Sequence, residues 1–224
     1  MSLRRWARTP VGRVFEAGMR RVNDRHPWSH NDHFHGWILA NLPVPCRAVL
    51  DVGCGRGELL AALAPQVTSV VGNDADAAMR REAAHRCSGL ANVSVVDGPW
   101  TEIGGPFDAI TMIAVLHHLE ITSALQSVSR MLAPGGRFLA VGLAAPSSMN
   151  DHLWDAASIV TNPIIGYLKH PRPSRAGAQQ PPFPVRDPTM TYDEIYAAVT
   201  EVMPGAALRH RIAFRHTISW TKPK

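Results

Sequence analysis

The feature that most constrains the fold of this chain is a strand-like run followed by three closely spaced glycines. Residues 47–52 are mostly apolar and include Asp51, a pattern that predicts a buried parallel strand. Gly53, Gly55 and Gly57 follow, and an apolar helical pattern begins after them. Glycine tolerates positive φ and has no side chain, and a helix start offers free N–H groups to a ligand. The stretch therefore predicts a cofactor site at the carboxyl end of the first strand of an open α/β sheet.

The spacing of these glycines separates the turn from two other glycine-rich motifs. The pattern Gly53-x-Gly55-x-Gly57 differs from the G-x-G-x-x-G of dinucleotide folds and from the G-x-x-x-x-G-K-[ST] of phosphate loops. No Lys or Ser/Thr follows that could hold a phosphate or Mg²⁺. An acid before the glycines, Asp51, suits a cationic group better than a pyrophosphate.

Four further segments follow in the order that such a sheet requires. Residues 68–74 and 93–98 predict the second and third strands, and each has an acid at its carboxyl end. Residues 107–119 predict a fourth strand that leads into two adjacent histidines. Residues 132–141 contain an L-x-P-G-G turn that enters a fifth strand.

With these matches the chain resembles the class I, Rossmann-like methyltransferases that use S-adenosylmethionine (SAM), in the broad family containing ubiquinone/menaquinone-type and natural-product small-molecule enzymes. The resemblance implies SAM as cofactor and S-adenosylhomocysteine as product. It also implies an α/β fold with a seven-stranded, mostly parallel sheet between helices. We expect residues 1–45 to form an N-terminal helical extension and residues 46–224 the SAM-binding methyltransferase domain. Residues 143–190, inserted after strand five, are expected to form an acceptor lid.

The cofactor-binding residues follow from these matches. Asp74, after strand two, is expected to accept both ribose hydroxyls, as an acid does in NAD folds. The resemblance places Asp97 at the adenine amino group, with the Gly98 N–H on a ring nitrogen, and Asp51 and Gly53 at the methionine part. The complete predicted set is Asp51, Gly53, Cys54, Gly55, Gly57, Asp74, Ala75, Asp97, Gly98 and Ile113.

His117 and His118, directly after strand four, are the candidate catalytic residues. Methyl transfer from a sulfonium is an in-line displacement, so alignment of the two substrates can supply most of the rate. A general base helps where the acceptor is a hydroxyl or a protonated amine, and histidine can take a proton near neutral pH. The alternative is that His118 anchors the loop or caps the next helix.

The stretch from Trp28 to Trp37 combines three aromatic residues with three histidines. A helix capped by Ser29 or Asn31 is expected here, either as a lid that touches the acceptor or as a packed helix. No Cys or Glu spacing completes a metal site, so no metal is predicted. The predicted substrate-contacting residues are Trp28, His30, His33 and Trp154, the last within the lid insertion. The alternative for that insertion is a surface segment without a role, because it is rich in proline.

Composition limits the remaining choices. The net charge of +5 is concentrated at the start, where residues 1–25 carry seven arginines against two acids. That arm predicts a solvated helix face more readily than a nucleic-acid contact, because no nucleic-acid module accompanies it. No run is long and apolar enough for a membrane helix, and no signal peptide is recognisable. Three cysteines form no paired framework, which favours the cytoplasm, and Cys54 is expected to be a packing residue.

These observations predict a SAM-dependent methyltransferase that acts on O, N or C of a small organic molecule, with secondary metabolites among the candidates. Nucleobase amino methylation is excluded because no [DN]-P-P-[YFW] motif follows strand four, and C5 methylation because no Pro-Cys follows it. Two alternatives stay open. One is an RNA or peptide methyltransferase that docks through the basic arm, and the other is a SAM-binding partner protein without activity. The oligomeric state is left open.

Overall fold

A seven-stranded sheet organises the part of the chain that the computed structural model describes, residues 31–147, 187–212 and 215–224. The strand order is β3-β2-β1-β4-β5-β7-β6. Strands β1 to β5 pair in parallel, and β7 pairs antiparallel with β5. The strands are β1 Ala48–Val52, β2 Ser69–Asn73, β3 Val93–Val96, β4 Phe107–Ile113, β5 Leu132–Gly142, β6 Ala207–Arg211 and β7 Arg215–Thr221. The predicted seven-stranded, mostly parallel fold is thereby confirmed.

The chain divides into two compact units. One consists of residues 31–145, 186–210 and 215–224 and holds all of the sheet except the last residue of β6. The other, residues 1–30, 146–185 and 211–214, lies almost wholly outside the described residues. The predicted basic helix, most of the predicted lid insertion, and Trp28, His30 and Trp154 fall on that undescribed part.

Five α-helices are assigned in the described ranges. They are α1 His35–Ala40, α2 Glu58–Leu63, α3 Ala77–Arg86, α4 Ile121–Met131 and α5 Tyr192–Val202. Side chains cap three of them. Asp76 accepts the Ala78 N–H at the start of α3, and the Thr191 hydroxyl accepts the Glu194 N–H at the start of α5. Glu120 accepts the N–H groups of Thr122 and Ser123 at the start of α4. His118 is therefore not the cap of α4, which corrects that alternative.

The predicted helix around Trp37 begins later than expected. A 3₁₀ turn, Asp32–Phe34, precedes α1, and no side chain caps α1. The Asn31 side-chain oxygen instead accepts a hydrogen bond from the Arg215 guanidinium, at 3.2 Å. Of the two expected caps, Asn31 does not cap this helix, because its side-chain oxygen binds Arg215, and Ser29 lies outside the described residues. Ile38 of α1 is fully buried against the sheet side that α2 and α3 cover.

Alternation along the strands divides the core into two layers. Leu50, Ile110 and Phe138 face the layer that contains α4 and α5. Their neighbours Val49, Ala109 and Leu139 face the layer of α1, α2 and α3. Both faces are covered, as a parallel sheet requires, and open α/β sheets of this kind bind ligands at the carboxyl edge of their strands.

Helix α5 begins with the capping box that its sequence predicts. The Thr191 hydroxyl accepts the Glu194 N–H, and the Glu194 carboxylate accepts the Thr191 N–H at 2.7 Å. Hydrogen bonds from Thr191 also hold the pKa of Glu194 below its usual range. The box fixes the start of a helix whose Ile195 and Val199 are buried in the core.

Thr191→Ala should lower the free energy of unfolding by about 1 kcal/mol, because an N-cap oxygen is lost. Thr191→Ser, which keeps the hydroxyl, should stay close to wild type. Urea denaturation followed by circular dichroism measures both. Equal losses in the two variants would show that the methyl group, and not the cap, stabilises this turn.

Candidate cofactor and acceptor site

The glycine turn after β1 lies at the carboxyl edge of the sheet, and its backbone conformation and hydrogen bonds hold it there. Gly53, Gly55 and Gly57 have φ values of 71°, 54° and 80°, in the left-handed region that glycine adopts without strain. The N–H groups of Gly53 and Cys54 both donate to the Asn73 carbonyl, at 2.7 and 2.9 Å. A Cβ on Gly53 would lie 2.1 Å from a methyl of Val115. No larger residue fits, so the first glycine is required by both its φ and its space.

Asp74 lies beside the turn, as predicted, and the structure gives it two backbone contacts. One carboxylate oxygen accepts the Gly55 N–H at 2.9 Å, and the other accepts the Asp76 N–H at 2.9 Å. Each oxygen has a second lone pair with which a ribose hydroxyl can pair. The side chain therefore orients the glycine turn and can bind a diol with the same two oxygens.

Two residues that the sequence analysis missed tie this region together. The Asn73 side-chain amide, in a buried residue, donates to the carbonyls of Val96 and Gly98 at 3.1 and 3.0 Å. Arg80 donates to the Asp74 carbonyl at 2.7 Å and forms an ion pair with Asp97 at 2.8 Å. The available signal for Asn73 was a polar residue at the end of an apolar strand, directly before the acid.

The predicted adenine-side residues lie at the same edge. The Asp97 side chain is 78% exposed, and its Oδ1 also accepts the Gly98 N–H at 2.7 Å. The Gly98 N–H, which was predicted to bind an adenine ring nitrogen, therefore donates its hydrogen bond to Asp97 in this structure. Ala75 is exposed next to Asp74, and Ile113 is half-buried at the end of β4.

Asp51 is the buried acid of the site, with 2% of its surface exposed. It stands opposite Thr111 in the β1–β4 register, and the Thr111 hydroxyl donates to its Oδ1 at 2.6 Å. Burial raises the pKa of Asp51 to about 7, the Thr111 hydrogen bond opposes that rise, and the nearby charge of Asp74 adds to it. A cation placed beside Asp51 would favour its charged form, so the site fits the ammonium group of an amino acid.

The structure confirms the expected packing role of Cys54. The residue is buried, and its thiol lies between the turn and Gly72. Burial, followed by the charges of Asp51 and Asp74, raises the pKa of this thiol. A protonated thiol is a poor nucleophile, so Cys54 is unsuited to covalent chemistry.

The structure distinguishes the two candidate catalytic histidines. They lie on a 3₁₀ turn, Leu116–His118, with ring centroids 4.0 Å apart. His117 is half-buried and lines a pocket, whereas His118 is exposed and is absent from the described lining of that pocket. The geometry therefore favours His117 over His118 for contact with an acceptor.

That pocket lies at the carboxyl ends of β4 and β5, because Leu116, His117 and Leu119 follow β4 and Gly142 is the last residue of β5. Its described lining is mostly apolar and includes two histidines: Leu116, His117, Leu119, Ile121, Gly142, Leu143, Pro188, Thr189, Met190, Ile195 and His216. His216 was not predicted as a site residue. His33, a predicted substrate contact, is half-buried and packs edge-on against Phe34, with ring centroids 5.1 Å apart.

No group of three or more His, Cys, Asp or Glu residues in the described ranges could hold a metal ion. No helix in those ranges is long and apolar enough to cross a membrane.

The fold and the glycine turn define a Rossmann-like methyltransferase, and comparisons with known proteins agree. A family model described as a methyltransferase domain matches residues 49–136. An uncharacterized methyltransferase of Mycobacterium tuberculosis is 31% identical over 208 residues, which cover 88% of this chain and 98% of that protein. A ubiquinone biosynthesis O-methyltransferase of Paracidovorax citrulli is 32% identical over 108 residues, 45% of each chain.

Solved structures share the fold. Magnesium protoporphyrin IX methyltransferase from Synechocystis, solved with bound S-adenosylhomocysteine, matches with a TM-score of 0.55 and 18% identity. That match covers 96% of this chain and 88% of the other. The chain belongs to the class I SAM-dependent methyltransferases.

Removal of the Asp74 carboxylate should weaken SAM binding by at least tenfold. A charge-assisted contact to both ribose hydroxyls is worth roughly 1.5–3 kcal/mol, and Gly55 would lose its partner as well. The matched control is Asp76→Ala, which removes the α3 cap two residues away and should cost about 1 kcal/mol of stability with SAM affinity little changed. Titration calorimetry gives both affinities. An Asp74→Ala variant that binds SAM like wild type would exclude this assignment.

Asp51→Asn should separate stability from binding. The folded-state pKa of Asp51, about 7, lies above its ordinary value of 3.8. The folded protein therefore keeps a proton that the unfolded chain has lost, and stability from this group falls as pH rises between about 4 and 7. Asparagine does not ionise, so at pH 8 the free energy of unfolding of the ligand-free variant should be at least about 1 kcal/mol higher than that of wild type.

The same variant should bind SAM more weakly, since a carboxylate that faces the ammonium group is lost. Urea denaturation at pH 5 and pH 8, with calorimetry at pH 8, provides the three measurements. If the stability difference between the variant and wild type were the same at both pH values, Asp51 would not titrate in this window.

Proposed function

We propose that this methyltransferase acts on a small organic molecule, at an oxygen, nitrogen or carbon atom. The observation that carries the proposal is the mostly apolar pocket at the carboxyl ends of β4 and β5, whose lining includes His117 and His216. Such a pocket suits a compact, largely apolar acceptor that enters next to the cofactor seat. The O-methyltransferase of ubiquinone biosynthesis, similar over 45% of this chain, supports a small acceptor.

Different residues of the site would bind the cofactor and remove the acceptor proton. SAM supplies an activated methyl group on a sulfonium when it is bound. Asp74 and Asp97 would hold the adenosine part, and Asp51 with the N–H groups of the glycine turn would hold the amino-acid part. His117 would take the proton when the acceptor is a hydroxyl or a protonated amine. The sulfonium would supply the methyl group to the acceptor atom and would retain the electron pair of the carbon–sulfur bond.

We also propose that residues 143–190 form the acceptor lid. Both described ends of this segment support that role. Leu143 at one end, and Pro188, Thr189 and Met190 at the other, belong to the pocket lining. The Ala145 N–H donates to the Met190 carbonyl at 2.7 Å, which brings the two ends together at the pocket rim. A cover over the carboxyl edge would exclude water from the reacting groups.

The competing functions are less well supported. An RNA or peptide methyltransferase would use the arginine-rich arm, which lies outside the described residues. A SAM-binding protein without activity would not require a pocket beside the methyl group. We further propose a cytoplasmic location, which is supported by the three cysteines, since all are free thiols.

Transfer of a labelled methyl group tests the acceptor class. The protein is incubated with methyl-labelled SAM and fractions of a cell extract, which are then separated into organic-soluble molecules, RNA and protein. Label should enter the organic-soluble fraction and should fall at least tenfold with Asp74→Ala, whereas Asp76→Ala should retain it. Label in RNA or protein would replace the proposal by the macromolecular alternative. SAM binding without transfer to any fraction would favour the inactive partner protein.

A further inference from the structure

His216 is a buried polar residue in an otherwise apolar row. His216, Ile218 and Trp220 alternate along β7, and the last two belong to the core layer that contains α4 and α5. Only 2% of His216 is exposed. Its Nε2 is buried and has no hydrogen-bond partner among the described residues. A buried polar atom left in this state is costly, which points to a partner that arrives with a ligand.

The position of Nε2 is set by a glycine on the neighbouring strand. His216 pairs with Gly142 in the antiparallel β5–β7 register. A Cβ on Gly142 would lie 2.3 Å from Nε2, so the imidazole occupies the space that a side chain at position 142 would fill. Both residues line the acceptor pocket, together with Leu116, Ile121 and Ile195. The imidazole is therefore part of the pocket wall, and its position is fixed by packing against Gly142.

The surroundings keep this imidazole neutral. Burial, together with the smaller effect of the nearby positive charges of His210, Arg215 and His117, lowers the pKa of His216 to about 4. Tyr192 packs edge-on against the ring, with centroids 5.9 Å apart. Nε2 therefore stays a neutral hydrogen-bonding atom throughout the physiological pH range, and it is too weak a base to remove the acceptor proton.

We propose that His216 is an acceptor-binding residue whose Nε2 hydrogen-bonds a hydroxyl group of a neutral, apolar acceptor. The inference rests on the proposed function and narrows its substrate class. A hydroxyl can both donate and accept, so it pairs with Nε2 in either tautomer of the ring. None of the described lining residues is Asp, Glu, Lys or Arg, so an ammonium or phosphate group in this pocket would lack a counter-charge there. A phenol-like molecule meets both conditions.

Two probes that differ only by a hydroxyl test this assignment: p-cresol and toluene, in the presence of saturating S-adenosylhomocysteine. Ligand-detected NMR gives the dissociation constant of each. The preference for p-cresol over toluene should fall about fivefold in His216→Phe, as expected for loss of one hydrogen bond. His216→Gln, which retains a donor and an acceptor, should keep part of the preference. His210→Phe is the matched control, because His210 stacks on Tyr192 but is not in the described pocket lining.

Two further measurements guard against a variant that fails to fold. Gly142→Ala places a methyl group on β5 where the His216 imidazole lies. It should displace the imidazole and reduce the preference for p-cresol over toluene. In the wild-type protein, the ¹⁵N resonance of His216 Nε2 should shift when p-cresol is added and stay in place with toluene. An unmoved resonance, or an unchanged preference in a folded His216→Phe variant, overturns the proposal. Calorimetry with S-adenosylhomocysteine, run alongside, separates this failure from loss of the cofactor site itself.

Discussion

The buried carboxyl group of Asp51 is the constraint on which the site depends. It lies near the carboxyl end of β1 and opposite Thr111 of the adjacent strand β4, and no cationic side chain contributes to its raised pKa. One hydroxyl does not compensate an ion that has lost its water, so the ligand-free fold shifts Asp51 toward its protonated form and raises its pKa to about 7. A bound ammonium group would reverse that balance. The fold thus keeps a locally unfavourable group at the position where we propose that the amino-acid part of the cofactor binds.

The rest of the proposed cofactor site is organised by residues that each hold two parts of the structure. The Asn73 carbonyl receives two N–H groups of the glycine turn, while its side-chain amide holds the loop after β3. The Asp74 carboxylate fixes Gly55 and the start of α3 and retains lone pairs for a diol. Because adjacent parallel strands end at one edge, a few hydrogen bonds connect all three loops. Such a seat is largely preformed, so little ordering accompanies binding.

Much of this could be read from the sequence because the local signals agree with the global fold. The glycine turn, the acids after β2 and β3 and the capping box of α5 each follow from local spacing, and the structure has them where they were expected. Asn73, Arg80 and Thr111 escaped prediction because their roles depend on partners in other strands and helices. The register that pairs Asp51 with Thr111 cannot be seen in either segment alone. Asn31 was misassigned for the same reason, since its side chain is used by Arg215, far along the chain.

His216 shows a further limit that comes from strand direction. Site residues of parallel strands follow the strand, and this rule finds Asp74, Asp97 and His117. An antiparallel strand begins at the edge where its parallel neighbour ends, so its contribution to the site comes before most of the strand in sequence. β7 is antiparallel to β5 and brings His216, its second residue, opposite Gly142 at the end of β5. In folds of this kind, polar residues at the start of the last strand therefore belong in the search for acceptor contacts.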